Sequence, residues 1–152
     1  MESFAMSIQR REDSSNSRQR NSRKSSSSQR QTRALLSIKP RYAEAIFRGD
    51  KRFEFRRAIF RKEVDVVVVY TTHPTCQVEG EFDIAAVVSE SPEDLWSRTS
   101  LHAGIDREGF FNYFKGRGIG HAIVIGNVRR YAEPLNLDDD FGIRAPQSFV
   151  YI

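Results

Sequence analysis

The chain has 152 residues and a formal net charge of +4, which suits one globular domain with a terminal tail. No stretch approaches the roughly 18 consecutive apolar residues of a membrane helix, and residues 1–13 hold no apolar run long enough for a secretory signal. A lone cysteine, Cys76, excludes an internal disulfide and a cysteine-rich zinc site. We therefore expect a cytoplasmic protein without a membrane segment.

Charge divides the chain near residue 33. Residues 1–33 carry eight Lys/Arg against three Asp/Glu, whereas residues 34–152 carry sixteen against seventeen. The Ser- and Arg-rich run 13–33 contains no aliphatic or aromatic residue, so it cannot offset the entropy lost on ordering. We predict a disordered basic tail over 1–33 and one domain over 34–152. The tail is interpreted as a basic arm for nucleic acid, as a solubilising leader or as the product of a mis-called start codon.

The first half of the domain predicts a strand, a helix and three more strands. The run 34–39 is a short strand, and Pro40 opens a helix that ends at Gly49, a residue suited to the left-handed position. The alternating run 51–57 predicts the second strand. Residues 63–72 are β-branched on both faces, which is typical of a central strand. In the next strand we expect a bulge at Gly80 and an inward face made of Val78, Phe82, Ile84, Ala86 and Val88.

The second half predicts two helices followed by two strands. One helix has Ser91 as its N-cap, and the other runs from Asp106 to Gly116, with its aromatic residues in the core. Residues 121–131 predict another buried strand, and 148–152 a last one. Because no regular βαβ alternation is present, we predict an α+β fold: a small mixed β-barrel with a helix packed across it and one or two inserted helices.

Charged residues cluster around the first helix and the second strand. Lys39 precedes a helix N-terminus with free N–H groups, and Lys51 lies in the turn after the helix. Glu54 and Arg56 leave the same face of a strand, about 7 Å apart. These residues predict a pocket with an anion-binding wall and one carboxylate that accepts hydrogen bonds from a base or moves a proton. The alternative is a solvated ion-pair ladder that contributes little to stability.

Two tyrosines are candidates for stacking on a base. Tyr42 and Tyr70 each carry a polar end and lie near the charged cluster in sequence.

Residues 36–57 closely resemble the beginning of ASCH domains, members of the PUA-like superfamily. The family pattern is Leu-Ser-Ile-x-Pro, a short helix, and Gly-x-Lys-x-x-Glu-x-Arg. It is matched here by Leu36, Ser37, Ile38, Pro40, Gly49, Lys51, Glu54 and Arg56. Residues 110–116, 122–137 and 144–152 are also similar, so the resemblance covers 34–152.

The resemblance implies a β-barrel whose cleft, between barrel and first helix, is lined by the Lys/Glu/Arg motif. It also implies binding of RNA or a modified nucleotide, and some members are ribonucleases. One branch removes acetyl groups from modified cytidine. That branch carries threonine where this chain has Glu54, which weighs against the same hydrolysis here.

Three functions therefore compete. The first is an RNA-binding module, with regulation as one use, whose ligand contacts are Lys39, Tyr42, Lys51, Glu54, Arg56 and Tyr70. The second is a metal-independent ribonuclease, or a hydrolase of a modified nucleoside, in which Lys51 stabilises charge and Glu54 is the acid or base. The third is a sensor of a small anionic ligand. We expect RNA or a nucleotide-like ligand as partner, no metal and no other cofactor; a protein partner is not identified.

Overall fold

The computed structural model describes residues 30–152, so the predicted tail lies outside the described residues except for its last four. Six strands and three α-helices follow one another, with a 3-10 turn at Ser100–His102 and a π turn at Leu137–Phe141. In chain order they are β1 (Arg33–Ile38), α1 (Pro40–Arg48), β2 (Phe53–Arg56), β3 (Val66–Thr71), β4 (Gln77–Glu90), α2 (Pro92–Thr99), α3 (Arg107–Tyr113), β5 (Gly120–Leu135) and β6 (Phe149–Tyr151).

The strands form one mixed sheet in the order β2-β5-β4-β3-β1-β6. β1 and β3 run parallel, and the other neighbours are antiparallel. β2 and β6 are the two edge strands of the sheet. Arg56 of β2 nevertheless donates a hydrogen bond of 3.1 Å to the carbonyl of Ser37 in β1, the strand that pairs with β6. The sheet therefore curves into a half-barrel, and the predicted α+β barrel-like fold is confirmed.

The core is built on both faces of the sheet. Alternate residues of β1 and β3 point to opposite sides, so Val67 and Val69 pack beneath α1 with Ala43 and Ile46. In a second cluster, α2 and α3 pack over Phe55 of β2. The third cluster includes Leu35, Val68, Tyr70, Val78 and Leu137. Burial on both faces explains why β3 carries β-branched residues on both sides, as the sequence predicts.

Helix ends follow the predicted capping residues. Pro40 is the first residue of α1, and Gly49 ends it with φ 86°. Ser91 Oγ accepts from the Asp94 N–H at 3.3 Å, and the Asp106 carboxylate accepts from the Gly109 N–H at 2.8 Å. These helix starts are confirmed, whereas α3 ends at Tyr113, before the predicted Gly116.

The inward face predicted for β4 is wrong at its far end. Val78 and Phe82 are buried, but Ala86 is exposed and Val88 only half-buried. Register shifts between Val78 and Gly80, and twice more along the pairing with β5, break the two-residue alternation. Each bulge inserts an extra residue and so exchanges the two faces. The bulge predicted at Gly80 is confirmed.

The prediction of a buried strand at 121–131 is correct only for its beginning. β5 extends to Leu135, and its buried residues are Gly120, Ala122 and Ile123. β2 pairs with residues 121–124, and the Ile125 N–H donates to the carbonyl of Arg52. Within residues 30–152, no strand pairs with the remainder of β5 along that edge. An apolar run does not show where a neighbouring strand ends.

Backbone hydrogen bonding to the sheet includes residues before residue 34. The carbonyl of Thr32 accepts from the backbone N–H groups of Asp65 and Val66, and its own N–H donates to the Asp65 carboxylate at 2.9 Å. Arg33 is the first residue of β1. Backbone pairing needs no apolar side chain, so composition does not signal these hydrogen bonds. Among residues 30–152, no helix is long and apolar enough to cross a membrane.

Candidate functional site

A cavity of about 530 Å³ lies where α1, β2 and α3 meet the end of β1. This volume falls within the range of small-molecule sites, roughly 300–1,000 Å³. The lining residues come from four stretches of the chain, 37–42, 51–58, 105–113 and 147–148: Ser37, Ile38, Lys39, Arg41, Tyr42, Lys51, Glu54, Phe55, Arg56, Arg57, Ala58, Ile105, Gly109, Tyr113, Gln147 and Ser148.

The structure brings five of the six predicted contact residues to this cavity. They are Lys39, Tyr42, Lys51, Glu54 and Arg56. Residues that lie close together along the chain, in and around α1 and β2, therefore also line one cavity.

Tyr70 is the exception and does not line the cavity. Its side chain packs against Leu35, Val68 and Val78 in the cluster on the other face of the sheet. Val69, its neighbour, faces α1. The prediction relied on distance along the chain, whereas the two-residue period of β3 turns Tyr70 away from the cavity.

Lys51 lies at the base of the cavity and is only 3% exposed. Its Nζ donates to the carbonyl of Ala103 at 2.6 Å. Nζ also lies 4.8 Å from the ring centre of Phe55 and 5.1 Å from that of Tyr42. Burial lowers the pKa of the Lys51 ammonium to about 8; the charge of Glu54 opposes this and that of Arg56 adds to it. Near neutral pH, Lys51 is thus a cation that gives up its proton readily.

Glu54 and Arg56 form a buried ion pair. Glu54 Oε1 lies 3.2 Å from Arg56 Nη2, and the two residues are 7% and 8% exposed. Arg56 Nη2 also donates to the carbonyl of Ser37, and its Nη1 makes a longer contact of 3.4 Å with Ser148 Oγ. The alternative of a solvated ion-pair ladder is therefore wrong.

The rim of the cavity carries exposed cations. Lys39, Arg41 and Arg57 line it and form no ion pair with any described residue. Arg41 donates to the Tyr42 hydroxyl at 2.7 Å, and the guanidinium of Arg57 lies 4.6 Å from the ring centre of Tyr113. Anionic groups of a ligand could form ion pairs with these cations at the rim.

Sequence reasoning missed several of the lining residues. Arg41 lies within the quoted motif region and could have been included. Tyr113 was assigned to the core with its aromatic neighbours; Phe110 and Phe114 are buried, but Tyr113 faces the cavity and donates to the carbonyl of Phe55 at 3.2 Å. Ser148 lies 92 residues from Arg56, and no local pattern signals that contact.

Over residues 30–152, no group of three or more His, Cys, Asp or Glu side chains is placed to hold a metal ion.

A half-barrel crossed by one helix, with a Lys/Glu/Arg cleft between them, is the arrangement that the resemblance to ASCH domains implies. The sequence profile of the ASCH domain matches residues 36–134. The chain belongs to the ASCH domain family.

Known relatives agree with this assignment. The ASCH domain-containing ribonuclease of Zymomonas mobilis subsp. mobilis is 32% identical over 124 residues, which cover 78% of this chain and 83% of that protein. The crystal structure of ASCH from Zymomonas mobilis superposes with a TM-score of 0.73 at 29% identity, over 79% of this chain and 87% of that one.

Two larger proteins of Ureaplasma parvum contain a similar segment. Large ribosomal subunit protein uL22 and ATP synthase subunit alpha are each 28% identical to this chain over 119 residues. The chain spans only 38% and 15% of their respective lengths, so the similarity concerns one segment of each.

Proposed function

We propose that the cavity binds one nucleotide of single-stranded RNA, with the base inside and the phosphates at the rim. The observation that carries this proposal is a buried set of donor and acceptor charges beneath a rim of unpaired cations. The floor and the rim of the cavity are suited to bind different parts of a nucleotide.

The floor suits the edge of a base. Glu54 supplies a carboxylate acceptor, and Lys51 and Arg56 supply charged donors, all from one end of the cavity. Buried charges are costly unless they are paired or used, so their collection beside a cavity indicates a functional site. Base edges become accessible to such groups when a strand is unpaired and its bases are splayed out. Tyr42, half-buried in the wall, offers a ring for stacking.

The rim suits phosphate. Cations that are not already neutralised by carboxylates release counterions from RNA when they bind it, and Lys39, Arg41 and Arg57 meet that condition within the described residues. A relative 32% identical to this chain is named a ribonuclease, which also favours RNA as the ligand.

RNA cleavage in the same cavity is the second candidate, and the lowered pKa of Lys51 favours it. Glu54 would take the proton of a 2′-hydroxyl while O2′ forms a bond to phosphorus. Lys51 would stabilise the charge of the phosphorane and protonate the departing 5′-oxygen, leaving a 2′,3′-cyclic phosphate and a 5′-hydroxyl. A group with pKa about 8 is suited to give a proton near neutral pH.

One experiment separates binding from cleavage. The full chain and its Lys51→Ala variant are incubated with labelled, mixed-sequence single-stranded RNA, with and without EDTA, and both mobility shift and cleavage are followed. A salt-sensitive shift without cleavage supports the binding module. Cleavage that survives EDTA and disappears in Lys51→Ala supports the metal-independent nuclease.

Other outcomes would redirect the proposal. Cleavage by both proteins indicates a contaminating nuclease. Neither shift nor cleavage would contradict RNA as the ligand and leave a modified nucleoside or a small anion, to be tested by titration with nucleosides and nucleotides.

A further inference from the structure

We propose that the segment Arg57–Lys62, which follows β2, binds the phosphates that flank the nucleotide in the cavity. We call this segment the basic strip. The inference rests on the proposed function, because it extends the RNA beyond the cavity.

The basic strip runs from the cavity along β6. Arg57 lines the cavity. Further along, the ring of Phe60 lies 4.9 Å from that of Phe149, and the backbone N–H of Arg61 donates to the Tyr151 hydroxyl at 3.0 Å. Lys62 Nζ lies 4.1 Å from the ring centre of Tyr151. The strip is therefore held against β6 by aromatic packing and one backbone hydrogen bond.

The register of β6 sets the length of this path. Ser148 lies at the cavity, and Tyr151 comes three residues later in an extended strand that pairs with β1. Three residues of strand span roughly 10 Å. That distance is enough for about two further nucleotides of an extended single strand. Grooves that bind single-stranded nucleic acid commonly hold roughly four or more nucleotides.

The charge of the strip is unpaired. Residues 57–62 contain Arg57, Arg61 and Lys62 and no acid. All three are exposed, and none forms an ion pair with a described residue. By contrast, exposed Arg98 and Arg130 lie 2.9 and 3.1 Å from glutamate oxygens. The strip thus offers three free cations within six residues, whereas Arg98 and Arg130 are neutralised.

The contacts also indicate what the strip recognises. The rings of Tyr113 and Tyr151 are already covered by Arg57 and Lys62. The two cations are held over these rings while remaining exposed and unpaired, so they are available for phosphate. We expect the strip to add affinity without adding sequence preference.

The test compares RNA length with salt dependence. Affinity of the full chain is measured for single-stranded RNA from dinucleotide to octanucleotide over a series of salt concentrations. The double variant Arg61→Ala/Lys62→Ala should bind the dinucleotide as the unmodified chain does. Its salt slope for the octanucleotide should fall by about 1.4, since each lost phosphate contact on a single strand removes about 0.7. An octadeoxynucleotide should show the same loss of slope.

A matched control removes the same charge elsewhere. Arg98→Ala/Arg130→Ala takes two cations from existing ion pairs and should leave the slope unchanged. The test variant keeps the backbone hydrogen bond to Tyr151, and its melting temperature verifies folding; Arg61→Gln/Lys62→Gln replaces it if folding fails.

The outcomes separate this inference from the proposed function. If the test variant binds the dinucleotide and its salt slope for the octanucleotide is unchanged, the proposed role of the basic strip is overturned, while the proposed nucleotide site in the cavity still stands. An equal loss of slope in the control variant also overturns it, because net charge would then explain the effect. Failure of the unmodified chain to bind RNA of any length overturns both proposals.

Discussion

The side chain of Lys51 occupies the space next to Gly104 where a Cβ atom would stand. A Cβ built on Gly104 would lie 2.5 Å from Lys51 Cγ, and Gly104 has φ +66°. The preceding residue, Ala103, provides the carbonyl that accepts the Lys51 ammonium hydrogen bond. A backbone segment about fifty positions away thus holds the lysine that the motif supplies.

Gly104→Ala should displace Lys51 and weaken RNA binding about tenfold, the cost of one charge-assisted hydrogen bond. Binding is measured by fluorescence anisotropy. Gly142→Ala is the matched control, because Gly142 has φ +64° but nothing within 4 Å of its added Cβ. Equal losses of affinity in the two variants would show that backbone strain alone is responsible.

Stability should rise with pH between about 8 and 10.5 because of Lys51. Its pKa is about 8 in the folded chain and 10.5 when unperturbed, so in this window the unfolded chain binds the extra proton. The free energy of unfolding should gain up to about 3 kcal/mol relative to Lys51→Met. Urea denaturation of both proteins at several pH values measures the difference. Parallel profiles would contradict a lowered pKa.

Glu54→Gln distinguishes a binder from an enzyme. The substitution keeps the size of the side chain but removes its ability to take a proton. If Glu54 moves protons, turnover should fall at least about a hundredfold while RNA affinity stays similar or improves. Initial rates and dissociation constants are compared with those of the unmodified chain. Undiminished cleavage would exclude Glu54 as the base.

The two tyrosines should respond differently to substitution. Tyr42→Ala should lower RNA affinity about tenfold, since one base stack contributes roughly 1–3 kcal/mol. Tyr70→Phe should leave affinity unchanged, because Tyr70 packs on the face of the sheet away from the cavity. Titration with the same labelled RNA tests both. A loss in Tyr70→Phe would contradict the placement of the site.

Removal of residues 1–29 tests the basic arm. This segment carries six Lys/Arg against three acids, and its removal leaves the Thr32–Asp65 hydrogen bonds intact. We expect an unchanged melting temperature and a shallower salt dependence for long RNA. If the salt dependence does not change, the tail is not an RNA-binding arm.

Much of the fold could be predicted because its signals are local. Pro40 and Gly49 mark the ends of α1 through their own backbone preferences, and Ser91 and Asp106 mark helix starts through side-chain oxygens. The predicted inward face of β4 is incorrect beyond Phe82, because bulges in the pairing with β5 shift the register there. Thr32 was missed because a backbone hydrogen bond leaves no trace in composition.

The sequence by itself determined the family, the order of the elements and five of the cavity residues, since these residues lie within the motif region 36–57, which runs from the end of β1 through α1 and a turn to β2. Only the tertiary structure decided that Lys51, Glu54 and Arg56 are buried. The same is true of Ala103 and Ser148 as partners of the motif and of Tyr70 as a core residue. The physical reason is that burial, pKa and partnership depend on which segments the curved sheet brings together, and the carbonyl of Ala103 lies 52 residues from the lysine that it holds.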